Sequence, residues 1–183
     1  MVILGIDPGT ATTGYGLLKL NGDSTPHLLD YGWIDSKDSE NHTRRLNEIY
    51  EKMLDLLVRH KPDVIAMERI FFFSNAKTVI AVSQAQGVFM LAAEQKKVPL
   101  YWYAPGQVKL KITGSGRADK KLMKKTILEI FKVEAPPKKK TFFDDVADAI
   151  AIAYTHIKII QENDFDPERS RRIYKNRKEV KKS

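Results

Sequence analysis

VILGIDPGT, residues 2–10, is the strongest indication of fold in this sequence. Its first five residues are apolar without interruption, which is typical of a strand that is covered on both faces. Asp7 stands at the end of this strand, and Pro8 and Gly9 indicate a turn. A buried strand that ends on a carboxylate is typical of α/β proteins whose site lies at the carboxyl ends of the strands.

The rest of the chain continues this pattern. Two further strands are expected at 14–19 and 28–34, and an Asn-Gly-Asp turn between them predicts an antiparallel meander of the first three strands. Short apolar strands at 64–67 and 100–103 then alternate with helical segments. We expect these helices at about 46–60, 76–96, 107–112, 119–131 and 144–160. The prediction is an α/β fold with a five-stranded mixed sheet, three antiparallel strands first, flanked by helices on both faces.

Composition narrows the class of protein. The chain has 183 residues, 31 Lys+Arg and 23 Asp+Glu, so its net charge of +8 favours an anionic partner, nucleic acid first. The absence of cysteine excludes disulfides, thiol catalysis and Cys-ligated metals. No apolar run approaches the ~18 residues of a membrane helix, and the first residues lack the pattern of a signal peptide. We therefore expect a cytoplasmic protein without a membrane partner.

The positive charge is concentrated at the C-terminal end. Eight Lys or Arg lie between residues 168 and 183, against two Glu and few apolar residues. This composition is typical of a solvated tail. We therefore predict one folded domain over residues 1–162 and a basic tail over residues 163–183.

Carboxylates occur at the ends of two buried strands and on the last helix. Asp7 and Glu68 end the first and fourth strands, so they converge if those strands are parallel neighbours. On the helix, Asp145 and Asp148 share a face, but so do Asp144 and Asp148. Each acid alone is equally well explained as a turn or capping residue. Together they would repel one another unless a hard divalent cation such as Mg²⁺ neutralised them, and two such ions serve phosphodiester hydrolysis.

Three motifs resemble those of RuvC-type Holliday junction resolvases. The first is DPGT at 7–10 with TGYG at 13–16, the second is IAME at 65–68 followed by aromatic residues, and the third is DVADAIAIA at 145–153. They occur in the family's order over about residues 1–160. The resemblance implies a ribonuclease H-like fold of the retroviral integrase superfamily. It also implies a Mg²⁺-dependent endonuclease that makes paired symmetric nicks in four-way DNA junctions during recombination and repair.

The resemblance assigns catalysis and metal binding to the same four residues, with two Mg²⁺ ions per site and Mn²⁺ as a substitute. These residues are Asp7, Glu68, Asp145 and Asp148. The motif thus selects Asp145 over Asp144, which spacing alone does not. The resemblance further implies a homodimer, for which Gly87 in the second long helix is a candidate contact. A branch-migration helicase complex is a further partner that it suggests.

Aromatic and basic residues near these motifs are candidates for DNA binding. Phe71, Phe72 and Phe73 follow the fourth strand, where aromatic rings on a loop can stack on unpaired bases. At least one of them is expected to be buried, and the resemblance favours Phe71 at the junction centre. A Gly-Ser-Gly loop at 114–116 permits close approach of phosphate. The basic residues that flank this loop are Lys109, Lys111, Arg117 and Lys120, of which the resemblance places Lys109 and Lys120 near the scissile phosphate.

Other functions share parts of this pattern. Actin-like phosphotransferases also open with an Asp-x-Gly-Thr turn, but they need a second domain and a second phosphate loop, for which this chain has no room. A ribonuclease H-like nuclease acting on RNA or on other branched nucleic acid would carry the same acids. A junction-binding protein without catalysis is disfavoured because all four acids are present.

Overall fold

The computed structural model describes residues 1–9, 12–22, 24–35, 41–70, 76–133 and 142–162. The predicted strands and helices are found there, and the predicted tail lies outside the described residues. None of the described helices is both long enough and apolar enough to cross a membrane. In chain order, the elements are β1 (Val2–Asp7), β2 (Thr12–Leu20), β3 (Pro26–Asp35), α1 (His42–His60), β4 (Val64–Glu68), α2 (Ala76–Gln95), β5 (Leu100–Tyr103), α3 (Pro105–Thr113), α4 (Lys120–Phe131) and α5 (Phe142–Gln161).

The five strands form one mixed sheet in the order β3-β2-β1-β4-β5. β1, β2 and β3 pair as an antiparallel meander, whereas β1 with β4 and β4 with β5 are parallel pairs. The register places Ile6 of β1 opposite Met67 of β4. The next residues along the two strands are Asp7 and Glu68, so the condition for the two carboxylates to converge, parallel neighbouring strands, is met.

Helices cover both faces of the sheet. α1 and α2 pack on one face, where Leu4 of β1 belongs to the core, and α3, α4 and α5 pack on the other, where the neighbouring Ile3 does. This alternation follows from the two-residue period of a strand. A strand covered on both faces has to be apolar throughout, which explains the unbroken apolar run at the start of the chain.

The closest contact between layers lies between α5 and the strands β1 and β2. A Cβ atom added to Gly5 would lie 2.0 Å from the carbonyl oxygen of Ala149, and one added to Gly14 would lie 2.1 Å from that of Asp145. A Cβ atom on Gly16 would lie 2.5 Å from Ile150. Any side chain at these strand positions would therefore push the helix away from the sheet.

A buried histidine also joins α5 to the sheet. The His156 ring is hydrogen-bonded through Nδ1 to the hydroxyl of Tyr103 and stacks on Tyr101, with ring centroids 5.2 Å apart. Burial lowers the pKa of His156 to about 4, so the ring is neutral at pH 7. These contacts join α5 to β5, whose Tyr103 pairs with Glu68 at the end of β4.

The contact between α5 and β1 gives a direct test of the packing. We predict that Gly5→Ala lowers the free energy of unfolding by about 1–3 kcal/mol, because the added methyl group overlaps the α5 backbone. Urea denaturation measures this change. Gly22→Ala is the matched control, since a Cβ atom there meets nothing within 4 Å. If both variants lost the same free energy of unfolding, the packing of α5 would not depend on the absence of a side chain at Gly5.

Candidate active site

The strand ends and the first turns of α5 bring four carboxylates together. Asp7 and Glu68 are the last residues of the neighbouring parallel strands β1 and β4. Asp145 and Asp148 lie in the N-terminal part of α5, which the glycine contacts hold against the same end of β1. The structure therefore brings together the four acids that the sequence motifs contain.

These carboxylates influence one another's proton affinity. Burial raises the pKa of Asp7 well above its ordinary value, and the charges of Asp148, Glu68 and Asp145 raise it further. Burial and the charge of Asp148 raise the pKa of Glu68 to about 7. Burial also raises the pKa of Asp148, although Lys120 partly opposes this. The four acids thus form one electrostatic site in which full ionisation is unfavourable.

The structure separates the two candidate aspartates at the start of α5. Asp145 accepts a hydrogen bond at Oδ2 from the hydroxyl of Thr12 on β2, at 3.0 Å. Asp144 instead forms an ion pair with Lys124 on α4. Asp145 is therefore directed to the sheet and the other acids, whereas the carboxylate of Asp144 is held by the neighbouring helix.

The donor atoms of the site suit a hard cation. Asp148 Oδ1 is buried and has no hydrogen-bond partner within the described part of the chain, and its Oδ2 lies 2.6 Å from Lys120 Nζ. All the candidate ligands are carboxylate oxygens that repel one another, which is the donor set that Mg²⁺ and Mn²⁺ prefer. Among the residues described, no three acids or histidines stand close enough to enclose an ion as positioned.

The basic candidates lie at different distances from the acids. Lys120 contacts Asp148 directly, and Lys109 lies close enough to Glu68 to oppose the rise of its pKa. Arg117 is exposed in the loop between α3 and α4. Lys111 forms an ion pair with Glu162, just beyond the opposite end of α5. The aromatic residues Phe71, Phe72 and Phe73 lie outside the described residues.

Two polar residues that support the site were not singled out by the motifs. Thr12 orients Asp145, and Gln86 on α2 donates a hydrogen bond from Nε2 to the main-chain oxygen of Glu68 at 2.9 Å. Gln86 is only 8% exposed. An unpaired buried amide would be costly, so this hydrogen bond is kept and fixes the end of β4 at Glu68. Gln86 is therefore a positioning residue. The only sequence signal for it is a polar side chain inside a largely apolar helix.

The fold and the site together define a class of protein. A mixed sheet of this order, with carboxylates at the ends of β1 and β4 and on a helix packed across them, is the ribonuclease H-like α/β fold with an acidic site. Comparison with known proteins agrees with this class. A sequence model of the family described as Crossover junction endodeoxyribonuclease RuvC matches residues 3–156.

Individual relatives match over most of their length. The crossover junction endodeoxyribonuclease RuvC of Caldicellulosiruptor saccharolyticus is 41% identical over 157 residues, which are 86% of this chain and 92% of the relative. That of Petrotoga mobilis is 41% identical over 156 residues, 85% of this chain and 93% of the relative. The structure of T. thermophilus RuvC in complex with a Holliday junction substrate has a TM-score of 0.78 at 31% identity and covers 89% of this chain and 96% of that one. The chain belongs to the RuvC family, whose members are metal-dependent nucleases.

The raised pKa of Glu68 predicts how stability depends on pH. Between pH 4.5 and about 7 the folded protein binds a proton at Glu68 that the unfolded chain releases, so the metal-free protein loses stability as pH rises through this range. Glu68→Gln removes this loss. We expect the variant to be more stable than the parent at pH 8, by on the order of 1–3 kcal/mol, and the difference to shrink towards pH 5.

Urea denaturation in EDTA across this pH range measures the effect. Glu129→Gln is the control, because Glu129 is an exposed residue of α4 and its side chain is 67% accessible. Parallel pH profiles of the parent and Glu68→Gln would contradict the prediction.

Proposed function

We propose that this chain is a Mg²⁺-dependent endonuclease that resolves four-way DNA junctions by paired symmetric nicks in recombination and repair. One observation carries the proposal. Four carboxylates share one electrostatic site at the ends of β1 and β4, in a member of the RuvC family. The T. thermophilus relative, of the same fold, was solved with a Holliday junction substrate.

In this proposal, Asp7, Glu68, Asp145 and Asp148 hold two Mg²⁺ ions, for which Mn²⁺ can substitute. Such ions lower the pKa of an attacking water and stabilise the leaving oxygen of a phosphodiester. The chain's own contribution is to keep the ligands in place: Thr12 orients Asp145, and Gln86 fixes the backbone at Glu68. Since the raised pKa values mean that the acids release protons when a cation binds, metal affinity rises with pH.

The basic and aromatic candidates hold the DNA in this proposal. Lys109 and Lys120, which lie nearest to the acids, take the scissile phosphate. Arg117 in the exposed loop contacts a flanking phosphate, and Lys111 does so only if it leaves Glu162. One or two of the rings of Phe71, Phe72 and Phe73, with Phe71 the first candidate, stack on bases at the crossover, where each stack is worth ~1–3 kcal/mol. Phosphate contacts supply most of the affinity, and stacking selects the distorted junction.

A homodimer is supported by one face of α2. Ile80, Met90 and Leu91 are apolar residues of this helix that are 59%, 39% and 53% exposed. They lie on the same side as Gly87, where an added Cβ atom meets nothing within 4 Å. Such a stripe permits two copies of the helix to pack closely about a two-fold axis, which supplies the two active sites that symmetric nicking needs. A branch-migration helicase complex is a further proposed partner.

The choice of substrate tests the proposed function. We expect the purified protein with Mg²⁺ to nick a synthetic four-way junction at two symmetric positions, and EDTA to abolish the nicks. Linear duplex and an RNA–DNA hybrid of the same sequence should remain intact, because neither presents bases that have left their helix. Gel analysis of labelled strands measures all three. Preferred cleavage of the hybrid would instead support the related nuclease that acts on RNA.

The two neighbouring aspartates of α5 provide a matched pair of variants. We expect Asp145→Asn to slow nicking by more than about a hundredfold, since a lost metal ligand removes several kcal/mol of transition-state stabilisation. Asp144→Asn should stay within a few-fold of the parent, because Asp144 pairs with Lys124. Single-turnover nicking rates measure both, and gel-shift affinities should change little. If Asp144→Asn slowed nicking more than Asp145→Asn, the assignment of Asp145 as the metal ligand would be wrong.

The proposed dimer face can be tested separately from catalysis. We expect Leu91→Glu to convert the protein to a monomer, because it places a charge on the apolar stripe of α2. Light scattering during gel filtration measures the mass. Val58→Glu is the control, since Val58 is an equally exposed apolar residue on α1, at 56%. A parent protein that is itself monomeric, or a Leu91→Glu variant that stays dimeric, would exclude this face.

A further inference from the structure

Lys120 is held at the acidic site by the fold around it. It is the first residue of α4, and the carboxylate of Asp119 caps that helix by accepting a hydrogen bond from the Leu122 amide at 2.6 Å. The capped helix start points the Lys120 side chain across to α5. Its Nζ atom lies 2.6 Å from Oδ2 of Asp148.

The two partners of this ion pair differ in their exposure. The Asp148 side chain is 14% exposed, and its other oxygen, Oδ1, is buried without a hydrogen-bond partner in the part of the chain that is described. The Lys120 side chain is 59% exposed, so the Lys120 side of the ion pair is open to solvent. Asp148 is thus a largely buried carboxylate whose ion-pair partner is a largely exposed side chain.

The influence of Lys120 extends beyond Asp148. Its charge acts favourably on Asp7, Asp145 and Glu68 as well. Lys109, the other lysine near the acids, acts on Glu68. Of these two lysines, Lys120 is therefore the one that neutralises the set of acids as a whole.

We propose that Lys120 is an internal counter-ion that occupies the acidic site and competes with the metal ion for Asp148, a role that rests on the proposed metal-binding function. A divalent cation that takes Asp148 Oδ2 as a ligand must displace the ammonium group from it. Lys120 thereby weakens metal binding to the protein without DNA and makes metal loading depend on an alternative acceptor for its ammonium group. A purely structural ion pair between α4 and α5 would have the opposite effect, because its loss would loosen Asp148 and weaken metal binding.

Metal titration of the DNA-free protein separates these two roles. Mn²⁺ affinity is measured by isothermal titration for the parent, Lys120→Met and Lys120→Arg. Because a unit charge within a few ångströms commonly shifts an ionic equilibrium by about tenfold or more, we expect Lys120→Met to bind Mn²⁺ about tenfold more tightly. Lys120→Arg, which keeps the charge, should stay near the parent. Lys125→Met is the control, because Lys125 pairs with Glu129 on the exposed side of α4.

Unchanged or weaker Mn²⁺ binding by Lys120→Met would overturn the proposal. Lys120→Ala is a second neutral variant in case the methionine side chain itself packs into the site, and the melting temperature of each variant verifies its folding. Asp148→Asn distinguishes a failure of the counter-ion role from a failure of the proposed metal site. If it weakens Mn²⁺ binding while both neutral variants leave the affinity as it was, the counter-ion role alone is wrong. If it leaves Mn²⁺ binding unchanged, the acids do not hold the metal and both proposals fail.

Discussion

The backbone of α5 lies directly on the backbones of β1 and β2, and the placement of the acids depends on this contact. The helix can approach so closely because Gly5, Gly14 and Gly16 present no side chains to it, and because the helix offers Ala149 and Ala153 in return. A helix kept farther away by side chains at these positions would carry Asp145 and Asp148 away from the ends of the strands. The glycines of the first two strands are therefore as much a part of the site as the acids.

The close contact has an electrostatic cost, since it gathers like charges in a partly buried place. Beyond the effect of burial, the charges of Asp148, Glu68 and Asp145 raise the pKa of Asp7, and the charge of Asp148 raises that of Glu68. Asp148 keeps one oxygen without a hydrogen-bond partner among the described residues. Proteins tolerate such an arrangement where a cation offsets the repulsion. Lys120 supplies one positive charge from within the chain, and the metal ions of the proposed function would supply more. Local instability and cation affinity are two consequences of the same arrangement.

Much of the fold follows from the sequence, because hydrophobic periodicity and turn residues mark every strand and helix that the structure describes. The sequence left the pairing of β1 and β4 as a condition for Asp7 and Glu68 to converge, and the parallel register meets that condition. Spacing did not decide between Asp144 and Asp145, because both positions satisfy helical spacing with Asp148, and only the family resemblance favoured Asp145. The structure separates them through partners on other elements, Thr12 and Lys124, which are distant in sequence.

Lys111 and Gln86 are two further residues whose roles sequence patterns alone do not determine. Lys109 and Lys111 flank the same loop in the sequence, yet residues two apart on a helix point in different directions, and Lys111 is paired with Glu162 beyond the far end of α5. Gln86 has no motif at all, and its role appears only when α2 is placed against the end of β4. Sequence patterns identify residues with the right chemistry, whereas tertiary packing decides which of them meet.

A crystal structure of the protein with Mn²⁺, measured at a wavelength where manganese scatters anomalously, would show directly whether the four acids hold the metal. We expect anomalous density among the carboxylates of Asp7, Glu68, Asp145 and Asp148, with Asp144 still paired with Lys124. Density elsewhere on the protein, or none at this site at saturating Mn²⁺, would contradict this expectation.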